Sequence, residues 1–280
     1  MNFLARKVLL INLSDSTSDV KSFTDLNEYL GGFALGLKLY EMYQDKDPVI
    51  LSVGPLSGLF PFVSKTSIVM ENNGAIEDIY LGGSFSSRLA SSGVDSIILL
   101  GRSKSPTLLE IFNDKTSFLT ENIYETNSLG LPGKRSVLSV INRLDLLDNY
   151  FVTKDNLLGK KLASKNVTGI VLTGSLAFDI PDLEGYSALY AEVLKRAGEL
   201  EVTMGSSPSC SGCPLGCGSS KVGEMGGNIL AHCLVSCEYA KKIYSDVNIV
   251  FSCLNVLGYD YKHEDLEKVP GLVDTLLNNI

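Results

Sequence analysis

The run CSGCPLGC at residues 210–217 limits this chain more than any other stretch. It sets Cys210, Cys213 and Cys217 within eight residues, after 209 residues without a cysteine. Gly212, Gly216 and Gly218 let the backbone take tight or positive-φ turns, and Pro214 stiffens the bend. A segment of this kind cannot be a strand or a regular helix. It can curl so that three thiolates point inward. Iron–sulfur clusters are held by cysteine thiolates of this kind. Zinc favours two separated C-x2-C pairs, and a second pair is missing here. A third reading is that the thiols pack as small apolar groups. A four-ligand site needs one more donor, and Cys233, Cys237, Cys253 and His232 are the candidates.

The rest of the chain is ordinary by comparison. Apolar residues make up 45% and charged residues 20% of 280 residues, which suits a globular protein with a sizeable core. The net charge is −8 and no long basic run occurs, so the electrostatic footprint of nucleic-acid binding is missing. The N-terminal stretch MNFLARKVLLINLSDS is too short and too interrupted by charge for a membrane span, and it lacks a small-residue cleavage site. A cytoplasmic protein is expected, with its cysteines in a reducing compartment. No nucleotide-binding glycine motif, Walker loop or nucleophile elbow is present, and no catalytic residue stands out.

Up to about residue 175 the pattern predicts an α+β region. Strands are expected at 8–12, 49–53, 67–71, 96–100, 108–113 and 169–173, most of them rich in Val, Ile and Leu. Helices are expected at 33–43, 84–92 and 137–147, the last from apolar residues at three- and four-residue spacing. A further helical stretch should run from Leu183 to about Leu200. Residues 205–227 read as a loop, followed by helices at 228–244, 247–257 and 263–278. A boundary is placed near residue 204. Residues 1–204 then form a β-rich domain, and 205–280 form the cysteine loop with a small helical segment.

In this order and spacing the segments YLGGFALGLKLY (29–40), LSVGPLSG (51–58), SKTSIVMENNGAIED (64–78), GGSFSSRLASSGVDSIILLGRSKSPTLLEI (82–111), ASKNVTGIVLTG (163–174), CSGCPLGC and NVLGYD (255–260) resemble the aldehyde ferredoxin oxidoreductase family, the tungsten–pterin enzymes. The resemblance implies a β-rich base that receives a pterin cofactor, covered by helical domains. It also implies that the cysteine loop holds three ligands of a [4Fe-4S] cluster, with electrons passing to ferredoxin. Matching by motif, Lys65, Gly82, Gly83, Asn255, Gly258 and Asp260 become the cofactor-binding candidates. Cys253 becomes the first choice for the fourth metal ligand because it precedes the stretch at 255–260; Cys237 is second.

Departures from the family pattern weaken the grip on the pterin. Lys65 stands where the family has Arg, which loses the bidentate fork for phosphate. Tyr80-Leu81 replaces Asn-Ser before the glycine pair, and Lys154-Asp155-Asn156-Leu157 replaces a loop of the Gly-Arg-Gly-Gly type. The family's enzymes are longer than this chain, so the covering helical domains are expected from a partner subunit and an oligomer is expected. The expected function is a shortened oxidoreductase homologue acting in electron transfer through a [4Fe-4S] cluster, inactive toward aldehydes alone. The alternative is a non-catalytic binding or assembly protein with zinc or no metal.

Overall fold

The computed structural model describes residues 5–120, 126 and 128–280. Eleven strands and eight α-helices occur among these residues. A six-stranded sheet runs in the order β2-β1-β6-β3-β4-β5. Its strands are β1 (Arg6–Asn12), β2 (Thr17–Phe23), β3 (Val49–Ser52), β4 (Thr66–Asn72), β5 (Ala75–Leu81) and β6 (Ser96–Leu100). The pair β1 and β6 is parallel and the other neighbours are antiparallel. A five-stranded sheet follows in the order β10-β9-β11-β7-β8. It contains β7 (Thr107–Phe112), β8 (Lys115–Thr120), β9 (Arg135–Ile141), β10 (Leu144–Leu147) and β11 (Val167–Thr173), with β11 and β7 parallel. The chain is therefore α+β with two mixed sheets.

The inner strands β1, β3, β4 and β6 of the first sheet carry apolar runs because both their faces are buried. Side chains alternate between the faces. On β1, Val8 and Leu10 turn toward one core, while Leu9 and Ile11 turn toward the other; on β6, Ile98 and Leu100 oppose Ile97 and Leu99 in the same way. The second core lies between the sheets, where Leu109, Ile111, Leu138, Ile170 and Leu172 meet the first sheet. The first core lies under helices. Helix α1 (Gly32–Tyr43) lies on β3 and β4, and it meets α5 (Ile229–Cys233) and α8 (His263–Asn279). Helices α4 (Leu183–Lys195), α6 (Lys241–Tyr244) and α7 (Val247–Val256) complete this layer. Short helices α2 (Phe85–Ala90) and α3 (Leu157–Ser164) rest on the second sheet.

Two features tie the helical layer to the sheet. Arg6 on β1 is buried, donates to Asp95 Oδ1 at 3.2 Å and to the Tyr261 hydroxyl, and lies over the Tyr259 ring. Tyr244 on α6 is fully buried and donates to the Pro61 carbonyl at 2.6 Å.

The predicted helix at 137–147 is instead the hairpin β9–β10. Its buried residues Ser136, Leu138 and Val140 alternate with partly exposed ones. Asn142 and Arg143 at its tip both have positive φ, as a two-residue type I′ turn requires. The predicted helix at 228–244 is also broken. Helix α5 stops at Cys233, Val235 takes φ 54°, and the chain restarts in a 3-10 turn at Glu238–Ala240 before α6. No helix among the described residues is long and apolar enough to cross a membrane.

Candidate metal centre

The cysteine loop is built from its own backbone. Gly205 and Ser207 donate to the carbonyls of Leu215 and Gly216, both at 3.0 Å. Gly216 donates back to Ser209 Oγ at 2.9 Å, and the Ser220 hydroxyl donates to the Pro208 carbonyl at 2.7 Å. A Cβ on Gly216 would lie 2.6 Å from the Gly205 carbonyl oxygen, and the residue stands at φ 52°, so glycine is required there on both counts. The loop is fastened to the sheet where Ser211 donates to the Gly83 carbonyl at 3.0 Å.

Inside this frame lies a small cavity of about 20 Å³, walled by Phe62, Leu215, Val222 and Tyr239. Cys210, Cys213, Cys217 and Cys237 all line it, and so does Lys65. Cys237 arrives from the helical side. Its backbone N–H donates to the Phe62 carbonyl at 2.8 Å, and two residues earlier the Val235 carbonyl accepts from the Lys65 N–H at 3.1 Å. Phe62 and Val235 both stand in the left-handed region, at φ 66° and 54°. Such conformations cost about 1–3 kcal/mol each and persist only where the surroundings impose them. Here they turn the two segments toward each other.

The Lys65 side chain is 2% exposed and donates from Nζ to Cys210 Sγ at 3.4 Å. Burial works against its charge, but Cys210, Cys237 and Cys217 outweigh it and hold the ammonium above the ordinary lysine value. Burial pushes the Cys213 thiol up to about 11 and also raises Cys237, the latter partly offset by Lys65. Gly82 sits against both groups. A Cβ there would lie 3.0 Å from Cys210 Sγ and 3.2 Å from Lys65 Nζ. Gly83, at φ 81°, would drive a Cβ into Phe151 and Leu147. These glycines are therefore accounted for by close approach within the protein.

The other cysteines lie elsewhere. Cys233 is fully buried and accepts from the Ala34 backbone; Cys253 is fully buried in the helical core near Tyr244 and Glu192. Burial pushes both thiols up to about 12. It is Cys237, and not Cys253, that shares the cavity with the loop cysteines. The break after α5 is the reason: a continuous helix would have stacked Cys233 and Cys237 on one face. Among the described residues, no three His, Cys, Asp or Glu side chains close in on a single-ion site.

The structure divides the six residues matched to a pterin. Lys65, Gly82 and Gly83 belong to the cysteine cavity and its floor. Gly258, at φ 87°, donates to the Asn255 carbonyl at 2.8 Å and ends α7 as a left-handed C′ glycine. Asp260 is exposed and lines a separate groove with Asn27 and Tyr261. Lys154 is exposed, and Asp155 and Asn156 after it both take the left-handed conformation that glycine adopts freely. Lys65 and Asp260 thus line different cavities.

A second cavity lies beyond β5, lined by Asp78, Tyr80, Lys154, Glu224, His232 and Glu238 among others. The Tyr80 hydroxyl donates to Asp78 Oδ2 and lies 3.2 Å from His232 Nδ1. Sequence reasoning missed this group. The signal was present: Asp78 and Tyr80 are two apart and so share one face of a strand, but 75–81 had not been read as a strand.

Residues 8–135 match the family model described as the aldehyde ferredoxin oxidoreductase N-terminal domain. A curated relative from Pyrococcus furiosus, the WOR-like subunit of an aliphatic sulfonate oxidoreductase, is 33% identical over 124 residues. That alignment covers 39% of this chain and 20% of the relative, so the chain matches about a fifth of that protein's length. Among solved structures, the active-site complex BamBC of benzoyl coenzyme A reductase, in complex with 1,5-dienoyl-CoA, superposes with a TM-score of 0.59. The match has 18% identity and covers 70% of this chain and 34% of the other; it shows a shared fold. Over residues 8–135, a little under half of its length, the chain is therefore similar to the N-terminal domain of the aldehyde ferredoxin oxidoreductases.

Proposed function

We propose that the chain binds a [4Fe-4S] cluster on Cys210, Cys213, Cys217 and Cys237 and acts in electron transfer within a larger oxidoreductase. The observation that carries this reading is that four cysteines from two separate segments line one cavity with a buried ammonium beside Cys210. The donor set fits the group. Four thiolates carry a large negative charge, and Lys65 offsets part of it in a site with little solvent. A bound cluster would supply reversible one-electron chemistry at this position. The protein residues supply the ligands, an apolar wall of Phe62, Leu215 and Val222, and a fixed positive charge. Zinc is the weaker reading, because it favours two separated C-x2-C pairs and the sequence has one. The pterin is not part of the proposal, since its candidate residues are dispersed.

A partner subunit completes the reading. The curated relative is itself named as a subunit, and the structural neighbour is a complex. The test is anaerobic reconstitution with iron and sulfide, followed by metal analysis and absorption spectroscopy. Serine at Cys210, Cys213, Cys217 or Cys237 should each remove most of the bound iron, while Cys253→Ser should retain it. Iron that survives Cys237→Ser but is lost in Cys253→Ser would overturn the ligand assignment. A protein that takes up zinc and no iron would sink the cluster reading itself.

A further inference from the structure

The cavity beyond β5 contains a chain of hydrogen-bonding groups that the cluster reading does not use. Strand β5 carries Asp78 and Tyr80 on the same face, and α5 brings His232 against Tyr80. The Tyr80 and His232 rings meet edge to face with centroids 5.9 Å apart, and Phe33 holds the other side of the imidazole at 6.1 Å. Tyr80 is 8% exposed, so its hydroxyl is directed by the protein and not by bulk water. Its two neighbours are Asp78 Oδ2 and His232 Nδ1. Asp78 also accepts from the Ser67 hydroxyl at 3.0 Å. No cation pairs with Asp78 among the ion pairs of the described residues.

We propose that Asp78, Tyr80 and His232 form a proton relay that opens on this cavity, with Asp78 as the proton store and the His232 ring as the port. With Nδ1 engaged by Tyr80, Nε2 is the ring nitrogen that exchanges with the cavity. In the unloaded state Nδ1–H donates to the Tyr80 oxygen, Tyr80 O–H donates to the Asp78 carboxylate, and Nε2 carries a lone pair. A proton from the cavity then bonds to Nε2. The Nδ1–H bond breaks as the Tyr80 oxygen takes that proton, and the Tyr80 O–H bond breaks as Asp78 Oδ2 takes the next. One proton has entered and one negative charge has been neutralised. Neutral imidazole and neutral phenol are both regenerated, with their hydrogen bonds reversed.

The electrostatics favour the loaded state. Burial raises the Asp78 carboxyl well above the ordinary carboxylate range, and burial lowers His232. A proton therefore rests on the carboxyl in preference to the ring. The charged and titratable groups facing the relay are Lys154 from the turn before α3, Glu224 from the segment beside Tyr80, Glu238 from the 3-10 turn, and the Cys233 thiol. Glu224 lines both this cavity and the cysteine cavity, so the relay stands one residue from the proposed electron site. The relay goes beyond the cluster reading and does not depend on it.

The test uses infrared spectroscopy and nuclear magnetic resonance on the whole chain, metal-free and after iron–sulfide reconstitution. The metal-free protein at neutral pH should show the carbonyl band of one protonated carboxylic acid that disappears in Asp78→Asn. The imidazole titration of His232 should shift by about one pH unit or more in Tyr80→Phe, which keeps the ring and removes only the bridge. His232→Gln should leave the Asp78 band in place but slow its exchange with deuterated solvent at least tenfold. An ionised Asp78 at neutral pH would overturn the proposal, as would a His232 titration indifferent to the loss of the Tyr80 hydroxyl. Failure of cluster assembly with the relay signals intact would count against the cluster alone.

Discussion

Gly54→Ala tests how the fourth cysteine is placed. Gly54 follows β3, and the backbone of Leu234 lies directly on it. A Cβ there would sit 2.5 Å from the Leu234 carbonyl oxygen, 2.6 Å from its carbon and 2.7 Å from its Cα. Ordinary contact begins near 3.4 Å, so the carbonyl would have to retreat by about 0.9 Å (3.4 less 2.5). All three obstacles are backbone, so no side-chain rotation relieves the overlap. On the other side, Leu234 and Val235 are fully buried and have no room to yield. Overpacking of this kind costs about 1–3 kcal/mol. The strain acts three residues before Cys237, whose N–H bond to Phe62 and the Lys65–Val235 bond are the nearest ties to give way. Each loss of about 1.4 kcal/mol of local stability raises the open population tenfold. Urea unfolding should therefore show a lower midpoint. Thiol labelling of metal-free protein, read by mass spectrometry, should show Cys237 reacting about tenfold faster or more while Cys253 keeps its rate. An unchanged midpoint together with unchanged labelling of Cys237 would refute the idea that this backbone contact seats the cysteine.

Three further outcomes are expected. Lys65→Gln removes a unit charge beside Cys210; at an effective dielectric of about 20 this is worth roughly 4 kcal/mol, or roughly 0.17 V for a one-electron couple, so a reconstituted cluster should become harder to reduce by up to that amount in a redox titration. Gly271→Ala lies inside α8, where an added Cβ meets nothing within 4 Å, and it should raise unfolding stability by about 0.5–1 kcal/mol in urea. Asp78 has a pKa raised by burial, so above the ordinary carboxyl range the folded state holds a proton that the unfolded state has released; its stabilising share is complete at low pH and is lost as pH rises toward the folded value. Asp78→Asn should flatten that slope in a series of unfolding curves across pH, and a slope unchanged by the substitution would contradict the buried-acid assignment.

What the sequence made legible followed the number of faces buried. Strands with both faces covered, such as SIILL at 96–100, stand out as continuous apolar runs and were placed within a residue or two. Strand β2, TSDVKSF, is largely exposed and gave no apolar signal, although it pairs along its whole length with β1. Strands β5 and β8 are edges of the same sort. The hairpin β9–β10 was read as a helix because its leucines and valines satisfy both periods; the deciding residues are Asn142 and Arg143, whose turn only the backbone reveals. The cysteine loop was legible because glycine, proline and closely spaced thiols act locally. The placement of Cys237 was not, because it depends on a break at Val235 imposed by contact with Gly54 and Phe62, both far away in sequence.

The position of the cysteine cavity between the two cores has a consequence for stability. Cys210 belongs to the core between the sheets, Cys237 packs against the core under the helices, and Cys213 touches both. The helical layer is held to the first sheet at this seam by backbone bonds and by glycines that allow near contact. Any group bonded to all four thiols would join the two cores covalently at the place where they otherwise meet through packing and backbone hydrogen bonds. Binding to the folded state only adds its free energy to folding, and thiolate ligands arranged by a tertiary contact make loading and folding one equilibrium. In the proposed cluster the loop would supply three ligands from local sequence and could engage a metal before the layers dock, whereas the proposed fourth, Cys237, would be available only after docking. Lys65 would strengthen that coupling, since its backbone N–H donates to the Val235 carbonyl while its side chain meets Cys210, so one buried residue touches both halves of the proposed ligand set.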